Sequence, residues 1–364
     1  MKKTVKIHVD STTEDLISYI QDKRIEQSVN LSGNKIAAAP AIAAAFKDTG
    51  VTSVDLSYNE IGDAAPAIAA AFKDTGVTSV NLSGIFFLAG NAATTAAAFK
   101  DTGVTSVNLS CNMINNTTAT AAGFKDTGVT SVNLSTNGIG TNAPTTAAAF
   151  KDTGVTSVNL SFNGIAGTGA ATATAFKDTG VTSVDLSHNE IGDAAPATAA
   201  AFKDTGVTSV DLSHNKIGDA APATAAAFKD TGITSVNLSM NKIAGAGAAT
   251  AAAFKDTGVT SVNLSGNEIG NFAPATATAL KDTGITSVDL SGNTVTFEQA
   301  LQCLDIIWDN GQIHKLSLDH KEQCNNLLNE CIKTLVNEEF SEPFADVLQA
   351  LIGNYANITD FDAD

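Results

Sequence analysis

The sequence predicts an α/β solenoid, with a parallel sheet on a concave side, helices on a convex side and one apolar interior shared by stacked coils. Three observations predict it. The first is repetition: the segment 51–76, VTSVDLSYNEIGDAAPAIAAAFKDTG, has close copies starting at Glu26, Val77, Val104, Val129, Val155, Val181, Val207, Ile233, Val259 and Ile285, eleven repeats of 25 to 28 residues in all. The second is a change of period within each copy, from two-residue apolar alternation to a helix-forming run, which reads as one strand followed by one helix. The third is composition: 43% of the 364 residues are hydrophobic but only 6% are aromatic. Much of the apolar content is Ala, and so thin a core suits small elements that touch only their neighbours.

The elements follow in order within a repeat. Val181, Val184 and Leu186 stand at offsets 0, 3 and 5, the spacing of a short strand with one buried face. Ser-x-Asn comes next, and the amide of Asn189 is placed to bond backbone groups of its own loop and of adjacent coils. Ile191 returns to the interior. Asp193 and Pro196 mark the start of a helix, where a proline's missing N–H had no partner. The run 197–203 has strong helix formers, and Gly206 lies just past it, the usual place of a left-handed closing residue. Phe202 and its copies Phe46, Phe72, Phe99, Phe124, Phe150, Phe176, Phe228 and Phe254 are the expected anchors of the helices. A twelfth strand at 313–318 keeps the same apolar spacing.

The pattern V-x-x-V-x-L-S-x-N resembles the leucine-rich-repeat signature L-x-x-L-x-L-x-x-N with Val in two slots. A helix on the outer side is similar to the ribonuclease-inhibitor-like class, and the resemblance covers residues 26–318. It implies a horseshoe and a protein-binding scaffold. The near-identity of the repeats and their Ala-rich helices also resemble type IV-secreted effectors of Legionella-type intracellular bacteria. That resemblance implies a bacterial cytoplasmic origin, translocation into a host cell and a host protein as partner. It would make the C-terminus a translocation signal, with Glu338, Glu339 and Glu342 as its acidic residues, against the plainer reading of a helix end and a solvated tail.

The ends read as caps: residues 1–25 before the repeats, a helical cap over 319–356 and an acidic tail over 357–364. Thr4, Ile7 and Val9 repeat the strand spacing, and Ser11 and Thr12 can cap a helix over 13–23 with Leu16, Ile17 and Ile20 on one face. Past the repeats, helices are expected over 297–309, with Leu301, Leu304, Ile307 and Trp308, then over 321–338 and 343–351.

Charge excludes some functions. The net charge of −17 argues against DNA, RNA and anionic membranes, which need a basic footprint. The last 68 residues hold 13 acidic against 3 basic residues. The acidity suits a basic partner surface, or serves only to keep the solenoid soluble. No apolar run is long enough to span a membrane, and the basic N-terminus lacks the apolar stretch of a secretory signal. The four cysteines form no CxxC pair, which points to a reducing compartment and to no disulfide framework. No catalytic or cofactor-binding signature is present, so no cofactor is expected. Cys303-Leu304-Asp305 is the one sequence to weigh as a ubiquitin-ligase-like nucleophile, against a buried cap cysteine.

Within the constant frame two columns vary. Between Ser and Asn stand Gly33, Tyr58, Gly84, Cys111, Thr136, Phe162, His188, His214, Met240, Gly266 and Gly292; two places later come Lys35, Glu60, Phe86, Met113, Gly138, Gly164, Glu190, Lys216, Lys242, Glu268 and Thr294. Both are expected to point outward along one ridge, coils being about 5 Å apart. The candidate binding residues are Tyr58, Phe86, Phe162, His188, Glu190, His214, Lys216, Met240 and Lys242, the alternative being drift at solvated positions. His188, His214, Asp185 and Asp211 are a weaker zinc candidate, since copying alone explains the pairing. The Asn and Asp column of the strands is expected to form a polar floor of stacked amides. The third repeat departs: it carries Ile85 where Asn belongs, one inserted residue, and Phe86, Phe87 and Leu88 beside it. Such a cluster is a contact site, an oligomerisation surface or a locally repacked loop. A monomeric protein-binding scaffold is the expectation; oligomerisation is the second reading and a Cys303 enzyme the third.

Overall fold

A computed structural model describes residues 5–6, 13–21, 27–37, 40–87, 90–310, 312–320, 323 and 326. It resolves into two compact units, one of residues 1–189 with 204–207 and one of residues 190–203 with 208–364. In the first, the strands β1 (Val5–Lys6), β2 (Ser28–Asn30), β3 (Ser53–Asp55), β4 (Ser79–Asn81), β5 (Ser106–Asn108), β6 (Ser131–Asn133), β7 (Ser157–Asn159) and β8 (Ser183–Asp185) pair in parallel in chain order. In the second, β9 (Ser209–Asp211), β10 (Ser235–Asn237), β11 (Ser261–Asn263), β12 (Ser287–Asp289) and β13 (Lys315–Ser317) do the same. From β2 to β8 and from β9 to β12 the register sets Ser on Ser and Val on Val, so each apolar residue stacks on its copy. A helix follows each strand from β2 to β12 in the sequence.

The strands are short because each ends in a local turn. Asn159 Oδ1 accepts the Ser161 N–H at 2.8 Å, and Asp211 Oδ1 accepts the Ser213 N–H at 2.7 Å. This corrects the expected floor of stacked amides: the column serves its own chain two residues on, a job Asn and Asp do equally well. Asn237 Nδ2 does reach across, to Asp211 Oδ2 at 2.8 Å.

The link between coils lies in the Ser-x-Asn asparagines, as their spacing predicts. Asn163 Oδ1 accepts the N–H groups of Asn137 (2.9 Å) and Ile139 (3.3 Å) in the preceding coil. Its Nδ2 donates to the carbonyls of Leu134, Leu160 and Ser161 at 3.0–3.1 Å. In the second unit Asn267 bonds in the same way to the Asn241 N–H at 2.8 Å and to the carbonyls of Leu238, Leu264 and Ser265 at 2.9–3.2 Å. At the C-terminal end of this ladder the Asp319 carboxylate accepts the N–H groups of Gly292 and Asn293 at 2.6 and 3.1 Å. At the N-terminal end Asn34 Oδ1 is buried without a partner among the described residues.

The helices are shorter than the sequence suggests. The one expected over 197–203 is Ala195–Ala200, entered through the 3-10 turn Gly192–Ala194 with a proline in its first turn. The first left-handed residue after it is Asp204 (φ 60°), ahead of Gly206 (φ 82°). Asp tolerates this conformation better than most residues. In the copy at 150–155 the Thr closes the turn: Thr153 Oγ1 donates to the Phe150 carbonyl at 2.7 Å and accepts the Val155 N–H at 3.3 Å. The Phe anchors are 0–1% exposed, as expected, and Leu280 takes their place in the tenth repeat.

At the N-terminal end, β1 sets Val5 opposite Val29, two residues earlier than the spacing of Ile7 and Val9 implied. The helix Thr13–Ile20 buries Leu16 and Ile20. The helix Phe297–Asn310, that of the eleventh repeat, buries Ala300, Cys303, Leu304 and Ile307. Apart from residues 323 and 326, the expected helices over 321–338 and 343–351 lie outside the described residues, as do the tail with Glu338, Glu339 and Glu342, and Cys324 and Cys331.

Candidate binding ridge

The buried asparagines decide what the loops can display. Each but Asn59 is flanked on both sides by positions in the left-handed region, and Asn59 on one side. All eleven residues of the first variable column have φ between 53° and 71°, whether Gly, Tyr, Phe, His, Met, Thr or Cys. Ten of the eleven in the second column are left-handed too, with φ between 49° and 65°, and Glu60 is the exception. Turning the chain this way on both sides of Asn points the amide inward and both neighbours outward. Holding a non-glycine residue there costs roughly 1–2 kcal/mol, which the ladder offsets.

In the first unit Tyr58 is 65% exposed and its ring lies over Gly84 of the next coil, where a Cβ would come within 2.7 Å of the ring. Phe162 stacks on His188 with ring centroids 3.8 Å apart and planes 14° from parallel. In the second unit Met240 lies across Gly266, its sulfur 2.2 Å from where a Cβ would stand. Bulky residues of this column therefore lean on the following coil, and at Tyr58 and Met240 the following residue is a glycine that leaves room for them. Glu190 and Lys216 form an exposed ion pair at 2.6 Å, and Lys216 holds the Glu190 carboxyl below its ordinary range, first through the hydrogen bond and then through its charge. His214 is half-buried and Lys242 is exposed. His188 belongs to the first unit and His214 to the second.

Among the described residues, two exposed large hydrophobics stand outside the candidate set. Met113 (69% exposed) belongs to the second variable column and was findable there. Phe272 (51%) replaces the Ala found at 194 and 220, and its ring rests against Gly245. Among the described residues, no group of three or more His, Cys, Asp or Glu is arranged to hold a metal ion. No helix among them is long and apolar enough to cross a membrane. Cys303 is fully buried, and burial pushes its thiol up to about 12, which keeps it in the thiol form near neutral pH.

The third coil resolves the departure seen in its sequence. Ile85 is buried in the asparagine slot, Phe86 is exposed, and Phe87 is half-buried; Leu88 lies outside the described residues. Asn112 Oδ1 still accepts the N–H groups of Ile85 (2.8 Å) and Phe86 (3.2 Å). Ile85 offers no acceptor to the coil before it, where Glu60 leaves the left-handed region.

The family model described as Leucine Rich repeat matches residues 49–65, 153–172, 179–195 and 205–221. No curated protein matches the chain. Among solved structures, the chain is similar to TLR13 from a complex with ssRNA13, at 14% identity and a TM-score of 0.44, over 81% of this chain and 49% of that one. It thus spans about half of TLR13. It is also similar to human 5T4, at 14% identity and a TM-score of 0.34, over 81% of this chain and 85% of that one. With a strand and a helix in every repeat, and an asparagine turn in all but the third, the fold is that of a leucine-rich-repeat solenoid.

Proposed function

We propose that the chain is a non-enzymatic scaffold that binds a protein through the outward columns flanking the buried asparagines. The observation that carries this is the separation of roles within each repeat. Strand, ladder and anchor positions hardly change, whereas Tyr58, Phe86, Phe162, His188, His214 and Met240 vary at positions whose side chains the backbone turns outward. Aromatic residues and Met set among charges such as Glu190, Lys216 and Lys242 are the usual make-up of a contact surface.

Affinity capture from eukaryotic cell lysate tests it, comparing the natural chain with one carrying Phe162→Ala, His188→Ala, His214→Ala and Met240→Ala. The expected outcome is a partner recovered by the first and lost by the second. Recovery of the same proteins by both contradicts the assignment. The finer reading, an effector passed from a bacterial cytoplasm into a host cell, is supported by the resemblance of the repeats to such effectors. Fusion to a reporter active only in host cytosol tests it, and a signal absent during infection rejects it.

A further inference from the structure

The third and fourth repeats break the frame in opposite senses. The third has 27 residues and the fourth 25. The extra residue and the missing one both fall between the asparagine slot and the helix. Where the two coils no longer match, a cleft of about 200 Å³ opens between the starts of the helices Asn91–Ala98 and Thr117–Ala122. Phe87, Ala92, Ala93, Ile114, Asn116 and Ala119 line it. Its volume is below the roughly 300–1,000 Å³ of a small-molecule site. An apolar cavity of about 150 Å³ already accepts a benzene ring. The cleft therefore has room for one large apolar side chain.

The surroundings indicate what carries that side chain. Phe86 and Met113 each precede a residue of the lining and are 67% and 69% exposed. With Tyr58 on the coil before, three exposed large hydrophobics fall within three successive coils. The polar rim is acidic. Gly62 N–H donates to the Ile85 carbonyl at 3.1 Å, which runs the loop holding Glu60 and Asp63 alongside this patch. Asp63 is tied to the cleft by a hydrogen bond from Asn91 Nδ2, one residue from the lining. Both carboxylates are exposed, and neither has an ion pair among the described residues. The whole chain carries −17, which favours encounter with a basic partner.

We infer that this cleft docks a linear segment of a protein partner in which one Leu, Phe or Met is flanked by Lys or Arg. The apolar side chain fills the space between the third and fourth coils, the segment crosses Phe86 and Met113, and its cations face Glu60 and Asp63. The inference rests on the protein-binding reading above but uses a surface apart from Phe162 and His188.

Selection of random twelve-residue peptides displayed on phage, against the full immobilised chain, tests it. Enriched peptides should share one large apolar residue with basic neighbours. A synthetic fluorescein-labelled copy of the best one should bind at least tenfold more weakly to Phe86→Ser and to the double variant Glu60→Lys, Asp63→Lys. All three positions are exposed, so circular dichroism should show both variants folded. Binding should weaken with salt and be unchanged by Phe162→Ala with His188→Ala. No enrichment, acidic consensus sequences, or binding indifferent to the cleft variants overturns the inference. Peptides lost only with the Phe162 and His188 changes overturn it while leaving the ridge reading intact. A concentration-dependent dimer seen by light scattering and abolished by Phe86→Ser overturns it in favour of a second copy of the chain.

Discussion

Asn163 shows how a single residue type governs a coil. Five backbone groups in two coils depend on its amide. Asn163→Ala strands them in a buried place and should lower stability by about 3 kcal/mol, each unsatisfied buried group costing roughly 1–3 kcal/mol less any relaxation. The converse change should help: Ile85→Asn restores an acceptor opposite Asn59 and Ile61 and should raise stability by about 1–2 kcal/mol. Urea titration of both variants checks the pair, and a fall for Ile85→Asn would mean that the third coil has repacked around its isoleucine. The Glu190 carboxyl is lowered, so it stays ionised to a lower pH than an isolated Glu, and the pairing with Lys216 is lost as pH falls through that lowered value. Carbon-detected titration should show its midpoint rising toward the ordinary value in Lys216→Ala. At this scale the sequence showed the asparagine contacts, because a polar residue between apolar positions has to find partners. The left-handed columns were not legible, since nothing in Phe162 or Met240 as residue types favours a positive φ. The coil closure imposes it.

Helix packing adds constraints that propensity misses. Gly123 has an ordinary helical φ of −62°, yet a Cβ there would meet the Ala93 carbonyl at 2.7 Å. Gly123→Ala should therefore destabilise by about 1–3 kcal/mol through overpacking, although Ala is the better helix former. Gly167 has no atom within 4 Å of its would-be Cβ, so Gly167→Ala should be neutral or stabilising by about 0.4–1 kcal/mol. Thermal melts of the two variants separate packing from propensity. In the helix Phe297–Asn310, Cys303 should resist iodoacetamide at pH 8 until the protein unfolds, whereas the half-buried Cys111 should react in the native state. Helix existence and the Phe anchors were legible from the repeat; helix length was not. The Ala run extends past position 200, but the Thr that bonds back to the Phe carbonyl ends the helix early. The register of β1 was misjudged because Val5, Ile7 and Val9 alternate evenly, and an evenly alternating strand fits at two-residue steps.

For the molecule as a whole, the net charge leads to an expectation about partners: at physiological salt, duplex DNA and single-stranded RNA should show no retention by the chain in filter binding. The fold class was legible because eleven copies average out local ambiguity. The cleft beside the start of the third repeat's helix was not, since it arises from a length mismatch between neighbouring coils that only a three-dimensional arrangement expresses. The central claim is that a constant frame is separable from the residues it displays. Urea unfolding of one variant tests this most directly, with Tyr58, Phe86, Phe162, His188, His214 and Met240 all replaced by Gly. Relief of left-handed strain, roughly 1–2 kcal/mol per site, offsets the roughly 0.5–1 kcal/mol that each glycine costs in backbone entropy. The midpoint should therefore stay in place or rise. A midpoint that falls sharply would show that the displayed residues belong to the frame, and the separation of roles would be wrong.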